Sequence, residues 1–89
     1  MQFRWIDWNR DHIAEHGVDV AEAEMVVRNA KPPYPELAGD DKLYVAGRGI
    51  GGRLLQVIYI LDPDKTAFVI HARPLDEREK HRFRRRTRK

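Results

Sequence analysis

The sequence predicts a small α+β domain, and three observations carry that prediction. Three strand-like runs, 42–48, 53–61 and 66–73, follow one another across short, turn-rich separators. Helix-spaced apolar residues with capping signals lie before and after these runs, not between them. The resulting order is strand, helix, helix, strand, strand, strand, helix, with the helices grouped apart from a continuous antiparallel sheet.

Gln2 to Ile6 alternates polar and apolar residues, with Phe3 and Trp5 on one side, as a short half-buried strand does. Asp7 or Asn9 can cap a helix running to His16, and Gly17 follows as a left-handed C-terminal residue with Val18 packing back. Asp19 opens a second helix, and Glu22 is placed to reach back to its backbone N–H in a capping box. Val20, Ala23, Val27 and Ala30 form the buried stripe of that helix, which ends near Asn29. Residues 31–41 include Pro32, Pro33, Pro35 and Gly39 and read as a surface loop without regular hydrogen bonding. The three strands then form an antiparallel meander, joined through Gly49-Ile50-Gly51-Gly52 and Asp62-Pro63-Asp64-Lys65. Pro74 stops the last strand, and Asp76 with Glu79 signals a capping box for a C-terminal helix. That helix is expected to fray within Arg84-Arg85-Arg86, where like charges repel. Residues 1–83 thus read as one domain, and 84–89 as a basic tail. One sheet face is expected to be covered by helices and the other to be more open.

At 89 residues the chain has room for one core, and a domain of this size buries roughly 60 to 65% of its unfolded surface. No apolar run approaches the roughly 18 residues of a membrane helix, and the N-terminus has no signal-peptide h-region, so the expected location is cytoplasmic. There is no cysteine, which excludes disulfides, thiolate zinc sites and a cysteine nucleophile. There is no serine either, which excludes a serine hydrolase. The net charge of +3 is unevenly distributed: residues 1–77 hold nine Lys/Arg and thirteen Asp/Glu, whereas 78–89 hold eight Lys/Arg against Glu79 alone. Such a basic cluster suits phosphate contacts through counterion release, an acidic protein surface, or simple solvation.

Alternation sorts the strand residues by face. In the last strand Phe68, Ile70 and Ala72 form the expected core set, leaving Val69, His71 and Arg73 opposite. The expected register gathers Tyr44, Arg48, Arg53, Tyr59, His71 and Arg73 on one face, offering cations to phosphates, rings to bases and a proton-transfer group. A solvent face or a protein interface would show the same pattern. On the first helix Trp8, His12 and His16 share a stripe at four-residue spacing. The His-Glu-x-x-His zinc signature is not met, since Ile13 follows His12, and no metal or cofactor is expected. His16 falls at a helix C-terminus, whose negative dipole end favours a cation, and an imidazole can serve as acid or base. Gly47 to Arg53 is glycine-rich, but no Gly-Lys-Ser/Thr follows, so it reads as a flexible hairpin presenting Arg48 and Arg53.

Several short motifs occur together in order: Trp5-Ile6-Asp7, His16-Gly17-Val18 with Glu22 and Glu24, Gly52-Arg53-Leu54-Leu55, Ile70-His71-Ala72-Arg73 and Glu77-Arg78-Glu79. Over residues 2–83 the chain resembles the BrnT family of ribonuclease toxins. Two positions differ from that family's pattern. The lysine usual soon after Trp-Asp is absent from Asp7-Trp8-Asn9-Arg10, and the serine or threonine before Ala-Arg is His71. The resemblance implies a RelE-like fold and metal-independent RNA cleavage that stops translation, neutralised by a cognate antitoxin protein. On that reading Arg53 and Arg73 stabilise phosphate charge, His16 and His71 transfer protons, and Glu79 orients an arginine or acts as base. Tyr44, Arg48, Tyr59, Arg84, Arg85 and Arg86 would contact RNA. The alternative is a non-catalytic RNA-binding or protein-interaction module of the same fold.

Overall fold

The computed structural model describes residues 1–87. The chain opens with a two-residue strand, β1 (Phe3–Arg4), and turns into helix α1 (Asp7–Ala14). The turn is fixed by Asn9, whose Oδ1 accepts the Ile6 N–H at 2.8 Å. Asn9 is fully buried, and its amide nitrogen donates to the carbonyls of Arg4 and Val69 at 3.2 and 3.0 Å. One polar side chain therefore joins the first strand, the first helix and the last strand, with its hydrogen bonds satisfied in the core. The helix stops two residues short of His16. Gly17 takes φ +73°, and the N–H groups of Gly17 and Val18 donate to Ala14 and Ile13, closing a Schellman motif.

Helix α2 (Val20–Arg28) starts at Asp19, whose carboxylate accepts the Glu22 N–H at 2.8 Å. The reciprocal half of the expected capping box is not made, because the Glu22 side chain turns inward to Arg53. The buried stripe contains Ala23, Val26 and Val27, with Val20 only half-buried.

The sheet has five strands in the order β1-β5-β4-β3-β2. β3 (Lys42–Arg48), β4 (Leu54–Leu61) and β5 (Ala67–Pro74) pair antiparallel, and β1 adds to β5 in parallel. The sheet is wider than expected because β2 (Glu36–Leu37) pairs with Leu43 and Tyr44 of β3. Residues 31–41 thus contain a strand as well as loop. Tyr34, within the same segment, is buried in the core cluster.

The registers correct the expected faces. Tyr59 lies opposite Leu43, and Val57 opposite Val45, so Tyr59 belongs to the helix-covered face with Leu55, Val57 and Val45. Tyr44 and Arg48 instead share their face with Ile58 and Leu54. In β5 a register shift leaves Ile70 without a partner, since Val69 pairs Tyr59 and His71 pairs Ile58. Such a bulge reverses alternation beyond it. The core set of β5 is therefore Ala67, Val69 and Ala72, all fully buried, and Ile70 is only half-buried.

Helix α3 (Glu77–Thr87) begins with a complete capping box: Glu79 N–H donates to Asp76 Oδ1 at 2.8 Å and Asp76 N–H to Glu79 Oε1 at 2.9 Å. It does not fray at the arginines. Residues 84–87 are helical, and Arg86 makes a bidentate ion pair with Glu36 at 2.7 and 2.6 Å while lying over the Tyr34 ring. Opposing charge on β2 thus holds the end of the helix that its own charges would loosen. The remainder of the expected tail, 88–89, lies outside the described residues. Phe83 stacks on Tyr34 and lines a cleft with Tyr44, Ala46 and Gln56, so α3 covers part of the face expected to be open. Among the described residues no helix is long and apolar enough to cross a membrane.

Candidate functional site

The bulge decides what the last strand presents. With Ile70 unpaired, His71 and Arg73 both emerge on the face shared by Tyr44 and Gln56. His71 lies in register with Ile58 and, one strand further, Tyr44, about 10 Å across the sheet at the usual strand spacing. Arg73 lies in register with Gln56, whose Oε1 accepts the Tyr44 hydroxyl at 3.3 Å. Burial raises the Tyr44 phenol above its ordinary value, so it remains a donor at neutral pH.

Helix α1 packs along β5 and brings its aromatic stripe to the same surface. The His16 and His71 ring centroids are 5.4 Å apart and those of His12 and His71 5.9 Å. Trp8 stacks parallel to His12 at 5.4 Å and to Phe68 at 6.2 Å, and Arg4 lies 4.0 Å over the Phe68 ring. Trp8 remains 55% exposed, so the stripe is a surface open to a ligand. Burial, then the neighbouring His16, Arg73 and His12, lower the His71 pKa from 6.5. His71 is consequently neutral near pH 7, the form that accepts a proton. Among the described residues no three His, Asp or Glu side chains are grouped to hold a metal ion.

Arg73 does not project freely. Its two terminal nitrogens donate to the two oxygens of Glu79 at 2.9 and 2.7 Å. The Glu79 carboxyl is held below its ordinary value chiefly by this pair and also accepts the Asp76 N–H. A carboxylate so engaged is a weaker proton acceptor, and its chemistry here is to orient Arg73 and cap α3.

No known protein family, curated protein or solved structure matches the chain. The site is therefore read from its own geometry. His16, His71, Arg73, Glu79 and Tyr44 are brought to one surface. Arg53 is not among them, and the cause is the register. It precedes β4 on the side facing α2, where its Nε and Nη2 donate to Glu22 at 2.9 and 2.6 Å and Nη2 also reaches the Gly17 carbonyl at 2.6 Å. Glu22 is 4% exposed and also accepts the Ile50 N–H at 3.0 Å. Arg53 and Glu22 are thus a junction between the α1–α2 turn and the 49–53 hairpin. Tyr59, 3% exposed in the core, is not available to a ligand. Arg48 bonds the Gly52 carbonyl across the hairpin, Arg84 and Arg85 lie exposed on α3, and Arg86 is committed to Glu36.

Sequence reasoning did not single out Glu22 as a partner of Arg53, or His12 as a neighbour of His71. The first lacked a local signal, since the pair is 31 residues apart. The second had one, because His12 and His16 share a helix stripe with Trp8.

Proposed function

We propose that the chain is a metal-independent ribonuclease of the RelE-like toxin type, acting on RNA at the His16–His71 surface and neutralised by an antitoxin protein covering that face. The observation that supports it most is the 5.4 Å approach of two imidazoles, one from the turn after α1 and one from β5, beside an arginine on the same strand face as His71. In this reading neutral His71 takes the proton of a ribose 2′-hydroxyl as its oxygen attacks the adjacent phosphorus. His16 gives a proton to the departing 5′-oxygen, leaving a 2′,3′-cyclic phosphate and a 5′-hydroxyl. Arg73, oriented by Glu79, stabilises the charge gathering on the phosphate oxygens. The exposed Trp8 ring offers a base a stacking surface. Tyr44 can exchange its 3.3 Å bond to Gln56 for a donation to the same strand from across the sheet.

The family resemblance supports the toxin role, and the two-histidine arrangement suits a chain in which His71 replaces the usual hydroxyl residue. Induced expression in bacteria should arrest growth with loss of intact messenger RNA, and His71→Ala should relieve both. Harmless expression with intact RNA would refute the reading. A second reading, a non-catalytic RNA-binding or protein-interaction module, is favoured by one observation: Arg53 and Arg73 are both already paired with carboxylates. It predicts RNA or protein capture with the RNA left uncut.

A further inference from the structure

The two arginines that flank the glycine-rich hairpin leave it on opposite sides of the sheet, yet both reach its end. There Arg48 and Arg53 line a pocket of about 220 Å³ together with Lys80 and Arg84 of α3. No carboxylate lines it. Each of the four cations keeps donor capacity. Arg48 uses Nη1 for the Gly52 carbonyl, Arg53 uses Nε and Nη2 for Glu22 and Gly17, and Lys80 has only a 3.4 Å contact with exposed Glu77. Arg84 has no hydrogen bond or ion pair among the described residues. Leu54 and Leu75, both buried, form its apolar wall.

Arg53 is already paired with Glu22, so the uncompensated charge at the pocket is that of Arg48, Arg84 and the weakly paired Lys80. Such like charges repel unless an anion lies between them, and guanidinium forks match tetrahedral oxyanions. The volume falls below the roughly 300–1,000 Å³ of sites for drug-sized molecules and suits a small group. We propose that this pocket binds a phosphate group. Pro74, which also lines it, is three strand residues from His71, about 10 Å. A phosphodiester next to the one at His71 would lie within reach, so the pocket would set the register of an RNA strand. Only this naming of RNA as the source rests on the function proposed above; phosphate recognition does not.

The test is a backbone-amide NMR titration of the full chain with inorganic phosphate, using chloride at equal ionic strength as control. Saturating shifts confined to 49–54 and to the α3 residues around Lys80 are expected with phosphate alone. Lys80→Gln with Arg84→Gln should weaken binding at least about tenfold, since both charge-assisted donors to the anion are removed. The spectrum elsewhere should be unchanged, because both side chains sit on the surface of α3. Non-saturating shifts, shifts equal to those with chloride, or binding that survives the double variant would overturn the proposal. A 2′-O-methyl oligoribonucleotide, which cannot be cut, then separates the sources. Competition with phosphate assigns the pocket to RNA, whereas phosphate binding without competition upholds a small phosphate ligand and counts against the RNA reading alone.

Discussion

Replacing Arg53 by alanine separates a structural role from a catalytic one. The side chain makes two charge-assisted hydrogen bonds to Glu22 and one to the Gly17 carbonyl, at 2.6 to 2.9 Å. Bonds to charged groups contribute on the order of 1.5–3 kcal/mol each, but Arg53 is partly exposed and solvent screening reduces that. The larger cost falls on Glu22, left buried with only the Ile50 N–H as partner. A loss of about 3 kcal/mol follows, against a total of roughly 4–13 kcal/mol for a chain of this length. That corresponds to a fall in Tm of roughly 12–24 °C by calorimetry. Pairing Arg53→Met with Glu22→Gln removes both charges and should recover about 2 kcal/mol relative to the sum of the single variants. At saturating RNA, cleavage per folded molecule should stay near that of the parent, any loss falling on RNA affinity through the phosphate pocket that Arg53 also lines. A stable Arg53→Ala protein that has lost cleavage at saturating RNA would refute the assignment of Arg53 to the junction.

Gly49→Ala should destabilise the hairpin severely, because a Cβ there would sit 2.5 Å from Glu22 Oε2 and 2.8 Å from Leu55 Cδ1; an unchanged Tm would contradict the buried position of Glu22. The His71 pKa is lowered by folding, so its contribution to stability is present above the unfolded value of 6.5 and is lost as pH falls through the folded value. Titration of its ring protons by NMR should give a midpoint below 6.5, and the decline in stability below that pH should lessen in His71→Gln. Glu36, held low chiefly by Arg86, likewise contributes above 4.5 and less as pH falls. Because this pair is at the surface, Glu36→Gln should cost under about 1 kcal/mol and show mainly as faster amide exchange in the last turn of α3.

How far the sequence reveals this fold depends on whether the signal is local. Gly17, the Asp76–Glu79 box and the spans of β3 to β5 are set by neighbours within a few residues, and each is readable there. Faces and registers are not, because one unpaired residue, Ile70, reverses the alternation of β5 and no composition marks it. Strand β2 is hidden among prolines because its two residues are ordered by pairing with β3 rather than by propensity. Of the candidate site, His71 and Arg73 are readable as a face because they lie beyond the bulge on one strand. The position of Arg53 depends on a long-range choice of partner by Glu22, whose local capping role competes with it. The arginines ending α3 look like a frayed tail until Glu36 is placed beside them.

Cleavage of RNA by the His16–His71 pair would be written in the ends of its products. The purified protein should be incubated with a 5′-labelled single-stranded RNA in the presence of chelator, and the product ends determined. Fragments ending in 2′,3′-cyclic phosphate are expected, lost when the ribose is 2′-O-methylated and reduced about 10²–10⁴-fold in His71→Ala and in His16→Ala, the range for removing an acid or base. Cleavage that persists in both folded variants, or RNA bound but never cut, would contradict that role of the pair.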